Sequence, residues 1–147
     1  MTRDVLISIS GIHAIGGEDS DVELITAGIY YLKGSSHYIL YDEAVEGTGT
    51  MIKNIIKITP SSLEIIKRGF TTVHMVFEAG KKTQTCYATP LGEIMIGLDT
   101  VKMKVEEEKD NIRVSVEYSL DINYELLSLC HITVDIKSRA GAKLHLL

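Results

Sequence analysis

From Val73 to Thr100 the chain displays, at short range, a pattern of apolar and polar positions that it repeats elsewhere at longer spacing. Val73, Met75 and Phe77 alternate with His74, Val76 and Glu78. A period of two sends successive side chains to opposite faces of an extended strand. Ala79-Gly80-Lys81-Lys82 turns the chain, Thr83 to Thr89 runs back, and Glu93 to Thr100 sets out again. Between the last two lies Thr89-Pro90-Leu91-Gly92, where Pro presets φ near about −65° and Gly takes positive φ without steric cost. Three extended segments on two tight turns predict an antiparallel meander.

The same alternation marks the rest of the chain. Val5, Ile7 and Ile9 share a face opposite Ser8 and Ser10, and Gly16 to Asp21 break the segment. Val22 to Lys33 and His37 to Asp42 flank Gly34-Ser35-Ser36 as a hairpin that holds Tyr30, Tyr31, Tyr38 and Tyr41. Ile52, Ile56 and Ile58 share a face with Asn54, while Met51, Lys53, Ile55 and Lys57 form a less polar reverse side. Over 59–69, Ser61-Ser62-Leu63-Glu64 satisfies a capping box and admits a short helix, but Leu63 and Ile65 alternate with Glu64, which favours a strand. Val101, Met103 and Val105 are expected on one face, followed by an acidic turn at Glu106 to Asn111. Ile112 to Ile122 is the cleanest two-sided strand, and Ile132, Val134 and Ile136 mark the last one.

About ten strands on short connections, without a convincing long helix, must either stack as two sheets or close on themselves. Closure removes exposed edges, so the expected fold is all-β: an antiparallel up-and-down barrel of about 8–10 strands whose first and last strands meet. A length of 147 residues fits one domain over 1–147.

Composition changes this picture little. Hydrophobic residues make up 45% and charged residues 24%, ordinary globular usage. Fifteen Lys and Arg against twenty Asp and Glu give −5, a field that repels phosphate backbones, so nucleic acid is not an expected partner. Cys86 and Cys130 are expected as small buried side chains rather than a disulfide. No stretch approaches the ~18 apolar residues of a membrane helix, and Val5-Leu6-Ile7 is too short for a secretory core, so a cytoplasmic protein with no membrane partner is expected.

Five motifs stand in order between residues 28 and 92: Gly28-Ile29-Tyr30-Tyr31, Tyr38-Ile39-Leu40-Tyr41-Asp42-Glu43, Arg68-Gly69, Met75-Val76-Phe77-Glu78 and Tyr87-Ala88-Thr89-Pro90-Leu91-Gly92. In them the chain resembles the uncharacterised bacterial YwiB-like family. The resemblance implies a calycin-type barrel, lipocalin-like in shape, and no assigned reaction. Lipocalins proper carry Gly-x-Trp on the first strand, whereas this chain has Gly11-Ile12-His13 and no tryptophan.

Chemistry-bearing clusters are sparse. His13, His37, His74, His131 and His145 lack metal-site spacing, and Cys130 and His131 point to opposite strand faces. The acidic groups fall at turns and match no calcium loop. No Gly-x-Ser-x-Gly elbow or phosphate loop is present, so neither an enzyme motif, a cofactor nor a metal is expected. What remains is the barrel interior, with Tyr30, Tyr41, Met75, Phe77, Tyr87, Met95 and Tyr118 as core or as ligand lining. Arg68 either closes one end of the barrel onto backbone carbonyls or clamps a ligand carboxylate. The expected function is binding of a small apolar or amphipathic molecule inside the barrel, in a cavity of ~300 Å³ or more. The alternative is a filled barrel that acts through its surface or as a homodimer, joined by the sheet face carrying Ile55 or by Leu144 to Leu147.

Overall fold

The computed structural model describes residues 1–12, 22–44, 47, 49–69, 72–89 and 91–139, and for residues 12, 22, 23 and 87–89 the backbone alone. Ten strands follow in order: β1 (Asp4–Ile12), β2 (Val22–Lys33), β3 (Ser36–Ala44), β4 (Met51–Thr59), β5 (Ser62–Arg68), β6 (Thr72–Glu78), β7 (Lys82–Thr89), β8 (Gly92–Glu108), β9 (Asn111–Ile122) and β10 (Glu125–Ser138). All belong to one antiparallel sheet in the order β6-β5-β4-β3-β2-β1-β10-β9-β8-β7. The first strand pairs with the last, from Val5 opposite Ser138 to Ser10 opposite Thr133. The result is a nearly closed barrel.

The place where it fails to close differs from expectation. β6 and β7, consecutive in the chain, are the two sheet edges, so the first hairpin of the expected meander has no ladder. The reason lies in the turn. Lys81 N–H donates to the Glu78 carbonyl at 3.0 Å, but Gly80 N–H donates to the Thr100 carbonyl and Thr100 N–H to the Lys81 carbonyl. The turn itself is thereby bonded to β8 rather than closed as a hairpin. Across the seam the Thr83 hydroxyl donates to the Val76 carbonyl at 2.8 Å.

The alternating apolar positions turn inward as their spacing requires. Val5, Ile7, Ile39, Ile56, Ile58, Leu63, Phe77, Ile112, Val114, Val116, Val134 and Ile136 are at most 1% exposed. Each such side chain contributes roughly 1.5–3 kcal/mol when fully buried. Residues 62–68 are strand, not helix: Leu63 and Ile65 are buried, and Glu64 faces outward to Lys57 and His74. In β8 the register shifts between Thr100 and Lys102, so Val101 is a bulge residue at 65% exposure while Met103 and Val105 rejoin the core. Cys130 is buried, but Cys86 is exposed, because it shares the outward side of an edge strand with Lys82 and Gln84.

One irregularity positions the site. The β2–β3 ladder runs only from Lys33 opposite Ser36 to Ile29 opposite Leu40. Before Ile29, β2 pairs with β1 instead. Gly28 stands at this fork on the inner face, and a Cβ there would lie 2.5 Å from Ile7 Cδ1 and 2.8 Å from the Leu40 carbonyl oxygen. The glycine permits a close approach that no larger residue allows.

Candidate functional site

Among the described residues the interior holds a cavity of about 60 Å³, lined by Ile9, Leu24, Tyr41, Ile65, Lys67, Met75, Phe77, Tyr118 and Ile132. Four of the expected interior residues, Tyr41, Met75, Phe77 and Tyr118, therefore meet at one space. Phe77 packs against Tyr118 with ring centroids 4.9 Å apart. Burial, and to a lesser degree the Glu43 carboxylate, pushes the Tyr41 phenol up to about 12. Burial likewise raises Tyr118, helped by its bond to Cys130. Both rings are neutral at physiological pH. The cavity is far below the ~300 Å³ at which a pocket takes a drug-sized ligand.

The other expected residues lie elsewhere. Tyr30 packs on the core near the opposite end of β3, where its hydroxyl meets His37 Nδ1 at 2.6 Å, and His37 Nε2 in turn lies 3.0 Å from the Glu107 carboxylate. Glu107 is on β8, so this chain of groups ties hairpin to hairpin across the barrel end. Met95 is not an interior residue: Ile96 beside it packs on the core, and Met95 pairs across the ladder with exposed Cys86. For Tyr87 the backbone pairs with Ile94, and its side chain lies outside the described residues, as do His13, His145 and the segment Leu144 to Leu147. Among the described residues no group of three His, Cys, Asp or Glu could hold a metal ion. No helix among them is long and apolar enough to cross a membrane.

Arg68 is exposed on the outer face at the end of β5, not at the barrel axis. Its guanidinium makes no hydrogen bond or ion pair among the described residues. It lines a groove of about 360 Å³ together with Ile29, Leu40, Tyr41, Asp42, Lys53, Asn54 and Ile55. Register arranges these side chains in two rows. Asp42, Lys53 and Arg68 are successive cross-strand partners in one row, and Ile29, Leu40 and Ile55, followed by Ile66, form the other. Two residues along a strand separate the rows, about 6.6 Å. An apolar floor thus borders a charged rim.

The rim is electrostatically unfinished. Lys53 and Arg68 lie directly opposite each other, and like charges so placed are destabilising. Among the described residues neither joins an ion pair, whereas nearby Lys67 pairs with Glu43 at 3.5 Å and Lys57 with Glu64 at 3.8 Å. Asn54, in the same lining, is 1% exposed. Its Nδ2 donates to Glu43 and to the Ile52 carbonyl, and its Oδ1 has no partner. A buried acceptor of this kind calls for a donor from water or a ligand.

A family model described as a domain of unknown function, DUF1934, matches residues 7–134. The chain belongs to the DUF1934 family. The curated uncharacterized β-barrel protein YwiB of Bacillus subtilis (strain 168) is 22% identical over 130 residues, 88% of this chain and 90% of that protein. The crystal structure of ywiB protein from Bacillus subtilis matches with a TM-score of 0.75 at 20% identity, over 92% of each chain. That likeness shows the fold, a β-barrel of the YwiB type. The groove of this DUF1934 chain was only partly legible in sequence: Arg68 and Tyr41 stood out, while Ile29, Leu40, Asp42, Lys53 and Asn54 did not. The one available signal was the mixed reverse side of Met51 to Lys57, whose apolar Ile55 has no use on a fully wetted face.

Proposed function

We propose that this protein binds a small anionic amphipathic molecule in the outer groove, with the barrel as its rigid support. The carrying observation is the facing pair Lys53 and Arg68, neither of which joins an ion pair among the described residues although Asp42 lies opposite Lys53, beside the apolar row Ile29, Leu40 and Ile55. An anionic head relieves the repulsion and an apolar body covers the floor. Size supports the placement, since the groove of about 360 Å³ reaches the scale of ligand sites and the interior space of about 60 Å³ does not. Calorimetric titration with octanoate is expected to give saturable binding, weakened at least about tenfold by Arg68→Gln, the worth of one charged hydrogen bond. Equal binding of octyltrimethylammonium, whose head is cationic, would refute the assignment.

A second reading, self-association, is supported by the outward side of β2, where Ile25, Ile29 and Tyr31 are 60%, 40% and 43% exposed. Light scattering decides it: a dimer that Ile25→Lys converts to monomer supports this reading, and a monomer at all concentrations removes it.

A further inference from the structure

The next inference rests on the groove reading and concerns how far a ligand's tail can run. Tyr41 is the one residue, among those described, that lines both the outer groove and the interior cavity. It stands immediately beyond Leu40, the last β3 residue laddered to β2. Past that point, among the described residues, no backbone ladder joins the two strands, and side chains stand between the groove and the cavity. Leu24 of β2 and Tyr41 of β3 are the cavity-lining residues there, and Tyr41 is 5% exposed. Behind its ring the space is walled by Ile65, Met75, Phe77 and Tyr118, with Lys67, itself paired with Glu43, also in the lining: a largely apolar space suited to hydrocarbon. Its volume of about 60 Å³ is room for about two water-sized groups.

We propose that groove and cavity are two compartments of one site partitioned by the Tyr41 ring: a monocarboxylate places its head at Lys53 and Arg68, its tail runs over Leu40 to the fork, and Tyr41 sets the longest tail the protein accepts. The phenol suits the position. It is flat, held on one side by core contacts, and its removal opens the way to a cavity already present.

The test titrates straight-chain monocarboxylates from butanoate to dodecanoate into the full chain. For the unaltered protein, affinity is expected to climb about fourfold per added methylene while the tail covers the floor, then to level off where it meets the ring. Tyr41→Ala is expected to move that plateau outward by about two carbons, the capacity of the space behind it. Tyr41→Leu, a gentler change, serves if the alanine variant does not fold. Ile65→Ala enlarges the inner compartment and is expected to leave the plateau in place while Tyr41 is present, yet to extend it further in the Tyr41→Ala background. An unchanged plateau in folded Tyr41 variants, with the unaltered protein binding normally, overturns the partition and leaves the groove reading standing. Absence of saturable binding to the unaltered protein overturns both.

Discussion

Lys53 and Arg68 show how a single cross-strand pair can carry a functional signal. Several charged residues on this barrel have opposite partners: Lys104 lies 2.9 Å from Glu106, and Arg113 3.0 Å from Asp135. Two cations left facing one another lower stability, which a stability-driven sequence would avoid. Arg68→Glu, whose other neighbour across the ladder is the neutral Thr72, should therefore stabilise the fold by the ~0.2–1 kcal/mol that separates opposite from like charges across a ladder, seen as a higher melting temperature, and should abolish octanoate binding. Differential scanning calorimetry with parallel titration checks both halves. A second residue-scale expectation concerns Tyr41. Its folded-state value of about 12 lies above the ordinary 10.0, so the folded chain holds this proton more tightly than the unfolded chain. The associated stability is complete below about pH 10 and is lost as the pH rises toward about 12. Urea melts across that window should show the decline, and Tyr41→Phe should make it shallower, with Tyr30 and Tyr118, both also raised by burial, contributing to what remains.

At the scale of elements, the fork between β2 and β3 creates the groove, and Gly28 creates the fork. Gly28→Ala puts a methyl against the Leu40 carbonyl oxygen and the end of Ile7. Overpacking of this kind costs about 1–3 kcal/mol, and the melt of the variant should fall accordingly. None of this was readable from the sequence, where Gly28 looks like one residue in a β-branched and aromatic run. Alternation did locate the strands, including 62–68, because one face of each is buried and a period of two is all that burial requires. It could not locate the seam. Val73 to Thr89 reads as a hairpin by every local criterion, yet its turn is bonded through Gly80 and Lys81 to Thr100 of β8. The bulge at Val101 escaped for a similar reason: a single extra residue shifts the phase, and Val101, Met103 and Val105 keep an unbroken pattern on paper while the register moves beneath it. Candidate site residues fared likewise. Residues that line the interior could be picked by size and parity, whereas a groove on the outer face depends on which strands are neighbours.

Across the whole molecule, stability and binding are divided between the two sides of one sheet. The inner faces of the strands form the core, and the outer face of β2 to β5 carries both the apolar floor and the charged rim. The net charge of −5 makes the local cationic pair stand against its background. Attraction of an anion to the exposed rim is therefore expected to weaken as added salt shortens the Debye length from about 10 Å at 0.1 M toward about 3 Å at 1 M.

Because β1 is laddered to β10 while β6 and β7 share no ladder, the strands follow the ring in chain order but the break in the sheet falls between β6 and β7 rather than between the first strand and the last. Thr2 N–H already donates to the Ser138 hydroxyl at 3.0 Å, so the beginning and end of the strand series are neighbours in space. A circularly permuted gene that fuses the end of β10 to Met1 and starts anew at Lys81 would sever no ladder. Such a protein should refold with the far-ultraviolet spectrum of its parent, whereas new ends cut between β9 and β10, across an intact hairpin, should cost it measurable stability.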